Sequence, residues 1–394
     1  MSKLDELIRE LCPDGVEYKT VGEIAEVGTG SSNGNEAVDD GEYPFFIRSQ
    51  TVKFKNDYEY DEEAIIIPGE GGVGDIFHYV NGKYSIHQRV YRIHFVSDLV
   101  DTKFVYYYMG TYFKSFIMRK AVNATVLSIR KPMIQQFRIP VPPLPVQREI
   151  VRILDNFTEL TAELTAELTA RKKQYEFYRD KLLTFDVLGV GTSKVVWRTL
   201  GDVCHLQAGK AIPAHLISDT QTAENFVPCY GANGLRGYVS IFNESGDKPI
   251  IGRQGALCGN VCFATGSYYA TEHAVVVTDK GFFNSRFLYH LLVNADLNQY
   301  KTAGAQPGLS VAKLSDVKIP VPARTVQDKI VNILDNFDAI CSDLNIGLPA
   351  EIEARQKQYE YYRDKLLTFA ESGSTILTDR QTDRQTDRQT DRQT

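Results

Sequence analysis

Long apolar runs are missing from this 394-residue chain. Nothing approaches the roughly 20 apolar residues needed to span a bilayer, and Met1-Ser-Lys-Leu-Asp-Glu-Leu lacks the apolar core of a secretory signal. A cytoplasmic protein with no membrane partner is expected. The six cysteines (Cys12, Cys204, Cys229, Cys258, Cys262 and Cys341) are scattered, which suits reduced thiols better than a disulfide framework. Cys258, Cys262 and His273 have no fourth ligand at a diagnostic spacing, so buried thiols and no metal are expected. There is no P-loop, no H-E-x-x-H, and no Asn or Asp followed by two prolines and an aromatic. Gly69-Glu-Gly-Gly-Val-Gly74 spells G-x-G-x-x-G, but Asp75-Ile-Phe-His-Tyr-Val-Asn-Gly after it reads as strand and turn. A dinucleotide or methyl-donor fingerprint has to open a helix there. Neither a cofactor nor a catalytic residue is expected in this chain.

An excess of basic charge is missing too. The formal net charge of -6 argues against a protein that coats nucleic acid, because phosphate binding needs Lys and Arg. The charge is nevertheless polarised. Residues 1–80 hold 6 basic and 18 acidic side chains, residues 81–138 hold 10 and 2, and residues 194–318 hold 11 and 9.

What the chain does have is duplication. Ile139 to Phe157 (IPVPPLPVQREIVRILDNF) recurs from Ile319 to Phe337 with 13 of 19 residues identical, and Arg171 to Phe185 recurs from Arg355 to Phe369 with 13 of 15. The stretches between have diverged, although VEYKTVGEIAEVGTG from Val16 aligns with VVWRTLGDVCHLQAG from Val195. Their short runs of Val, Ile, Tyr and Phe, punctuated by Gly, Pro, Asn and Asp, predict strands and tight turns. Thr102 to Met118 and Ser285 to Tyr300 predict helices. Two α+β modules are expected.

After Pro145 the pattern becomes a long helix. Ile150, Leu154, Phe157, Thr161, Leu164, Leu168, Arg171, Tyr175, Tyr178, Leu182 and Phe185 keep a heptad seam without internal Gly or Pro. From about Gln147 to Phe185 the helix would be on the order of 58 Å long, so it needs a partner along its length. The second copy supplies one in two registers, with Gly347 and Pro349 predicting a kink or break between them. The proline run before each helix favours stiff, extended backbone.

The twice-repeated IPVP…VQ..IV.ILDNF, followed by Gln-Tyr-Glu-(Phe/Tyr)-Tyr-Arg-Asp-Lys-Leu-Leu, resembles the specificity subunit of a Type I restriction-modification system over residues 1 to about 371. LSVAKLSDVKIPVP from Leu309 and the Thr-Ala-Glu-Leu tandem at Thr161 to Leu168 are similar to that family as well. The chain departs from it in that the second helix lacks the tandem and carries Gly347 and Pro349. The resemblance implies two target-recognition domains, each reading one half of a bipartite double-stranded DNA site. It further implies that two long helices pair as an antiparallel coiled coil, set the gap and dock two methyltransferase subunits. Restriction/translocase subunits can join, and methylation and cleavage are the partners' work. The implied division is 1–138 for the first domain, 139–193 for linker and helix, 194–318 for the second domain, 319–371 for the second linker and helix, and 372–394 for a disordered tail.

Base-edge reading calls for Arg on guanine and Asn or Gln on adenine. The candidates are Arg48, Gln50, Gln88, Arg89, Asn233, Arg236, Arg253, Gln254 and Gln306, with Lys114, Arg119, Lys120, Arg130 and Lys131 as phosphate contacts. Thr161, Leu164, Leu168, Tyr175 and Tyr178 mark the spacer helix. Four residues advance a helix by about 6 Å and turn it by about 400°, so a Thr-Ala-Glu-Leu unit can be gained or lost with little change of face. From Thr378 the tail repeats Thr-Asp-Arg-Gln four times, with no apolar residue to bury. The codons ACA GAC AGA CAG would generate it from a four-nucleotide unit, which predicts a slippage tract. The other class open to this sequence is a two-module scaffold binding proteins or glycans. A gel shift against random duplexes, with and without the presumed methyltransferase, separates the two.

Overall fold

The computed structural model describes residues 2–120, 128–185, 195–302, 307–342 and 346–372. They form two compact units, one made of the residues up to Ala162 together with those from Ala354 onward, the other of Glu163–Glu353.

In the first unit, strands β1 (Glu17–Thr20), β2 (Ala25–Thr29), β3 (Tyr43–Phe46), β4 (Lys53–Lys55), β5 (Tyr60–Pro68), β6 (His78–Ile86), β7 (Val90–Phe95) and β8 (Arg138–Val141) accompany helices α1 (Lys3–Leu11), α2 (Val21–Ile24), α3 (Thr102–Lys120) and α4 (Lys131–Gln135). Six strands form one sheet in the order β2-β7-β5-β6-β3-β4, parallel only between β3 and β6. Ala64-Ile65-Ile66-Ile67 of β5 are all buried, because both faces of the sheet are covered. Ile65 and Ile67 pack with Phe104, Met109 and Phe113 of α3, whereas Ala64 and Ile66 pack with Phe46, Tyr84 and Ile86. Residues far along the chain close this unit. Val16 N–H donates to the Ala370 carbonyl (2.9 Å), Ser372 N–H to the Val16 carbonyl (3.0 Å) and the Tyr18 hydroxyl to the Phe369 carbonyl (3.1 Å), while Leu366 and Leu367 enter the core.

The second unit repeats the plan with β9 (Val196–Thr199), β10 (Cys204–Ala208), β11 (Val227–Gly231), β12 (Gly234–Val239), β13 (Glu244–Ser245), β14 (Lys248–Gly252), β15 (Val261–Ala264), β16 (Ser267–Ala270), β17 (Ala274–Asp279) and β18 (Lys318–Val321). One sheet has become two, β10-β17-β14-β15 and β12-β11-β16-β13. The break is local. Where β5 and β6 pair Glu62 with Gly82, this unit has Gly246 bonded to Gly266 (2.8 Å), with φ 88° and 65°, and next to this pair the counterparts of β5 and β6 are each divided, into β13 and β14 and into β15 and β16. The predicted helix from Ser285 is α7 (Ser285–Asn294), after α6 (Leu200–Val203) in chain order; it stops because Asp296 takes φ 43°, and a 3-10 turn, Leu297–Tyr300, follows. The glycine motif at 69–74 opens no helix, and β6 follows it.

The repeated IPV segments are strands: β8 pairs with β1 (Pro140 opposite Tyr18) and β18 with β9 (Pro320 opposite Trp197). Behind them run α5 (Leu144–Leu183) and, after α8 (Val311–Ser315), α9 (Arg324–Ser342), with α10 (Leu348–Leu366) starting directly after Gly347 and carrying Pro349 in its first turn. At 40 residues, α5 is about 60 Å long. In the first unit the Phe157 ring stacks on Tyr362 (5.7 Å, 23°); in the second, Tyr178 stacks on Phe337 (5.6 Å, 24°). Phe157 and Phe337 are equivalent in the repeat, as are Tyr178 and Tyr362, so each unit makes the same pair with the copies exchanged.

Two residues of the repeated motif lock helix to module. Gln147 is buried, accepts from Asp101 N–H (2.8 Å) and donates to the carbonyls of Leu99 and Pro142. Gln327 likewise accepts from Asn284 N–H and donates to Phe282 and Pro322. Asp155 receives Lys103 (2.7 Å) and Tyr107 (2.6 Å), and Asp335 receives Arg286 and His290 (both 2.7 Å). Burial lowers the His290 imidazole, and its Nε2 faces a carboxylate oxygen, which can only accept.

Candidate nucleic-acid interface

Strand ends converge at the same place in both units, on the same backbone bonds. His87 N–H donates to the Phe46 carbonyl (2.9 Å), Val90 N–H to His87 (2.9 Å), Gly69 N–H to Arg89 (2.9 Å) and Ile129 N–H to Gly69 (2.8 Å). The second unit has Thr271 to Tyr230 (2.9 Å), Ala274 to Thr271 (3.0 Å), Arg253 to His273 (2.9 Å) and Leu309 to Arg253 (2.8 Å). This frame brings the segments after β3, β5 and β6 together in one unit, and those after β11, β14 and β16 in the other.

The side chains on the two frames differ. In the first unit the Nη1 atoms of Arg48 and Arg89 both donate to Oε1 of Glu70, the latter at 2.6 Å. The hydrogen bond from Arg89 holds the Glu70 carboxyl below its ordinary range. Burial, and then the charges of Arg48 and Arg89, lower the His87 imidazole. Gln88 donates to the Asn33 side chain (2.9 Å). In the second unit His273 Nε2 lies 3.1 Å from Glu272 Oε1, and Asn260 donates to Asn233 (3.3 Å). A pocket of about 360 Å³ is lined by Gly231 to Arg236 and His273. Arg253 Nε, Glu272 Oε2 and His273 Nδ1 are buried without a hydrogen-bond partner, an arrangement with unmet polar capacity beside a cleft. Gly252 allows the close approach, since a Cβ there would sit 1.7 Å from the Ala232 carbonyl oxygen.

Of the predicted base-reading residues, Arg48 and Arg89 are therefore joined through Glu70, and Gln88 sits beside Arg89 in the same segment. Gln50 is exposed between β3 and β4; Asn233 and Arg236 line the pocket, with Arg253 and Gln254 on the segment after β14. Gln306 lies outside the described residues. Lys114 is bonded to Asp75 (2.6 Å); Arg119 is exposed on α3, Lys120 ends that helix, and Arg130 and Lys131 are exposed at the start of α4. Along α5, Thr161, Leu164, Leu168 and Tyr175 are half-buried, and Tyr178 carries the ring stack while the residues flanking each leucine are exposed. The repeating tail from Thr378 is outside the described residues. Glu70, Gln147, Gln327, Asp155 and Asp335 escaped sequence reasoning. The identity of the last four across the two copies was the available signal, and Glu70 had none beyond its place inside the glycine motif.

Among the described residues no group of His, Cys, Asp and Glu could hold a metal, and no helix is long and apolar enough to cross a membrane. The family described as Type I restriction modification DNA specificity domain matches residues 13–171 and again 192–354. The chain is 42% identical over 259 residues to the Type I restriction enzyme EcoprrI specificity subunit of Escherichia coli, covering 63% of this chain and 64% of that protein, under two thirds of its length. It is 31% identical over 395 residues to a putative type I restriction enzyme specificity subunit of Haemophilus influenzae, covering 90% of this chain and 96% of the relative. Its fold is similar to that of the Type-I restriction-modification system S subunit from M. genitalium, at 19% identity and a TM-score of 0.62, over 89% of this chain and 95% of the other. The two family matches fall on the two copies of the α+β plan, each with its own loop frame, and the chain belongs to the family of type I restriction-modification DNA specificity subunits.

Proposed function

We propose that the chain is the DNA-reading subunit of a restriction-modification complex, with each unit reading one half of a bipartite double-stranded site. The carrying observation is that one backbone frame, bond for bond the same in both units, displays Arg48, Glu70, Gln88 and Arg89 in one and Asn233, Gln254, Glu272 and His273 in the other. A conserved frame with exchanged polar side chains is what reading two different short sequences requires, because phosphate contacts position a protein and base-edge contacts specify. Arg119, Lys120, Arg130 and Lys131 then serve as backbone contacts of the first unit, with Lys114 released from Asp75 or bridging it. Helices α5, α9 and α10 pair antiparallel, fix the unread gap and dock two methyltransferase subunits. Restriction/translocase subunits join that assembly, and the partners perform methylation and cleavage in the cytoplasm.

Mapping methylated bases in cells that express the chain with its partner subunits tests this reading. The expected result is a motif of two unlike halves separated by a fixed gap, one half altered by substitutions at Arg89 and the other by substitutions at Asn233. A single continuous motif, or none that depends on this chain, overturns it.

A further inference from the structure

The bonding at Glu70 has a direction that bears on which base pair the first unit reads. Each guanidinium gives Nη1 to the same carboxylate oxygen, Oε1. Among the described residues, no other protein group bonds to Nε or Nη2 of Arg48 and Arg89 or to Oε2 of Glu70. Nε and Nη2 form the parallel side-on edge of a guanidinium, the edge that forks a pair of acceptors. Glu70 therefore braces both arginines by their other corner and leaves their forks open. The brace is firm, because Gly69 is bonded to Arg89 and Ile129 on either side, and Glu70 itself bridges to Ser128. All three groups remain reachable, with side-chain exposures of 44% for Arg48, 58% for Arg89 and 33% for Glu70.

We infer that Glu70 is a specificity-determining residue and that the half-site read by the first unit contains a G·C pair, with guanine O6 and N7 on the open fork of Arg89 and the cytosine amino group on Oε2 of Glu70. The inference rests on the proposed reading of DNA half-sites and adds to it the identity of a base pair. An ionised carboxylate only accepts hydrogen bonds, so it favours the N4 amino group of cytosine and repels the O4 of thymine, while a forked arginine favours guanine. The two demands are met together by one G·C pair. The equivalent of Glu70 in the second unit is Gln254, and the equivalent of Arg89 is His273, so the second half-site is under no such demand.

The test compares the full chain, in its native complex, with its Glu70→Gln and Arg89→Lys variants, selecting bound duplexes from a pool with a randomised centre. The wild type should select a G·C pair in one half, and both variants should relax selection at that same pair by roughly tenfold or more. The other half and the gap should stay as they are. Thermal melting confirms that the isosteric Glu70→Gln change keeps the fold, and Arg89→Lys, at an exposed side chain, supplies the independent second variant. Unchanged selection at every G·C pair in both variants overturns the inference, as does loss of all DNA binding with the fold intact, since a bracing residue tunes one pair. A wild type that selects no bipartite motif instead defeats the parent reading.

Discussion

Replacing Gln327 by methionine isolates the polar lock between the second unit and its helix. Methionine nearly preserves the volume, so the perturbation removes hydrogen bonds without opening a large cavity. The Gln327 side chain accepts from Asn284 N–H at 2.8 Å and donates to the carbonyls of Phe282 at 3.0 Å and Pro322 at 2.9 Å, in a site only 1% exposed. Three backbone groups would lose their side-chain partner. At about 1 kcal/mol each, the low end of the cost of an orphaned buried group, the loss is about 3 kcal/mol. For a unit of this size that corresponds to roughly 6 to 12 °C in melting temperature. The chain contains one tryptophan, Trp197, on β9 opposite Pro320 of β18, so its fluorescence in urea reports this unit directly. The midpoint should fall with an unchanged slope. A loss under about 1 kcal/mol would refute the reasoning, because it would mean that the freed groups find other partners.

Inserting one Thr-Ala-Glu-Leu unit after Leu168 advances α5 by about 6 Å and about 400°; mapped methylation sites should show a longer unread gap with both half-sequences intact, and altered halves with an unchanged gap would refute it. Hydrogen bonding to Arg152, and then to Lys3, holds the Glu149 carboxyl at about 2. Its folded value is depressed, so its contribution is fully present above the ordinary carboxylate range and is lost as pH falls from about 4.5 towards about 2; denaturant midpoints should decline over that window in the wild type and less in Glu149→Gln. Gly252→Ala forces a Cβ against the Ala232 carbonyl, so it should destabilise the second unit by about 3 kcal/mol, read by Trp197 fluorescence, and blur selection in the second half-site only.

Elements that repeat or keep a period were legible from residues alone. The duplicated blocks announced two units of one plan, and the heptads from Ile150 announced a helix that does run unbroken to Leu183, while Gly347 and Pro349 announced its interrupted counterpart. Other features were hidden because they depend on what the chain brings together from afar. Nothing local says that Phe157 meets Tyr362 across more than 200 residues, or that Glu70 gathers arginines from two other segments. The division of one sheet into two falls where Gly246 stands in place of Glu62, a position whose partner, Gly266, is known only from the pairing. Lys114 shows the same limit, since its charge was readable but its bond to Asp75 was not.

The closure of the first unit by Val16, Tyr18 and residues 366–372 sets an order of assembly during synthesis. The ribosome makes the first 162 residues early, yet their core stays open on the side that Leu366, Leu367 and Phe369 cover until those residues emerge. The second unit, drawn wholly from Glu163–Glu353, has every strand it needs before then. The half that is born first is thus finished last, and a chain cut short before Ala354 would contain all of the second unit and only part of the first.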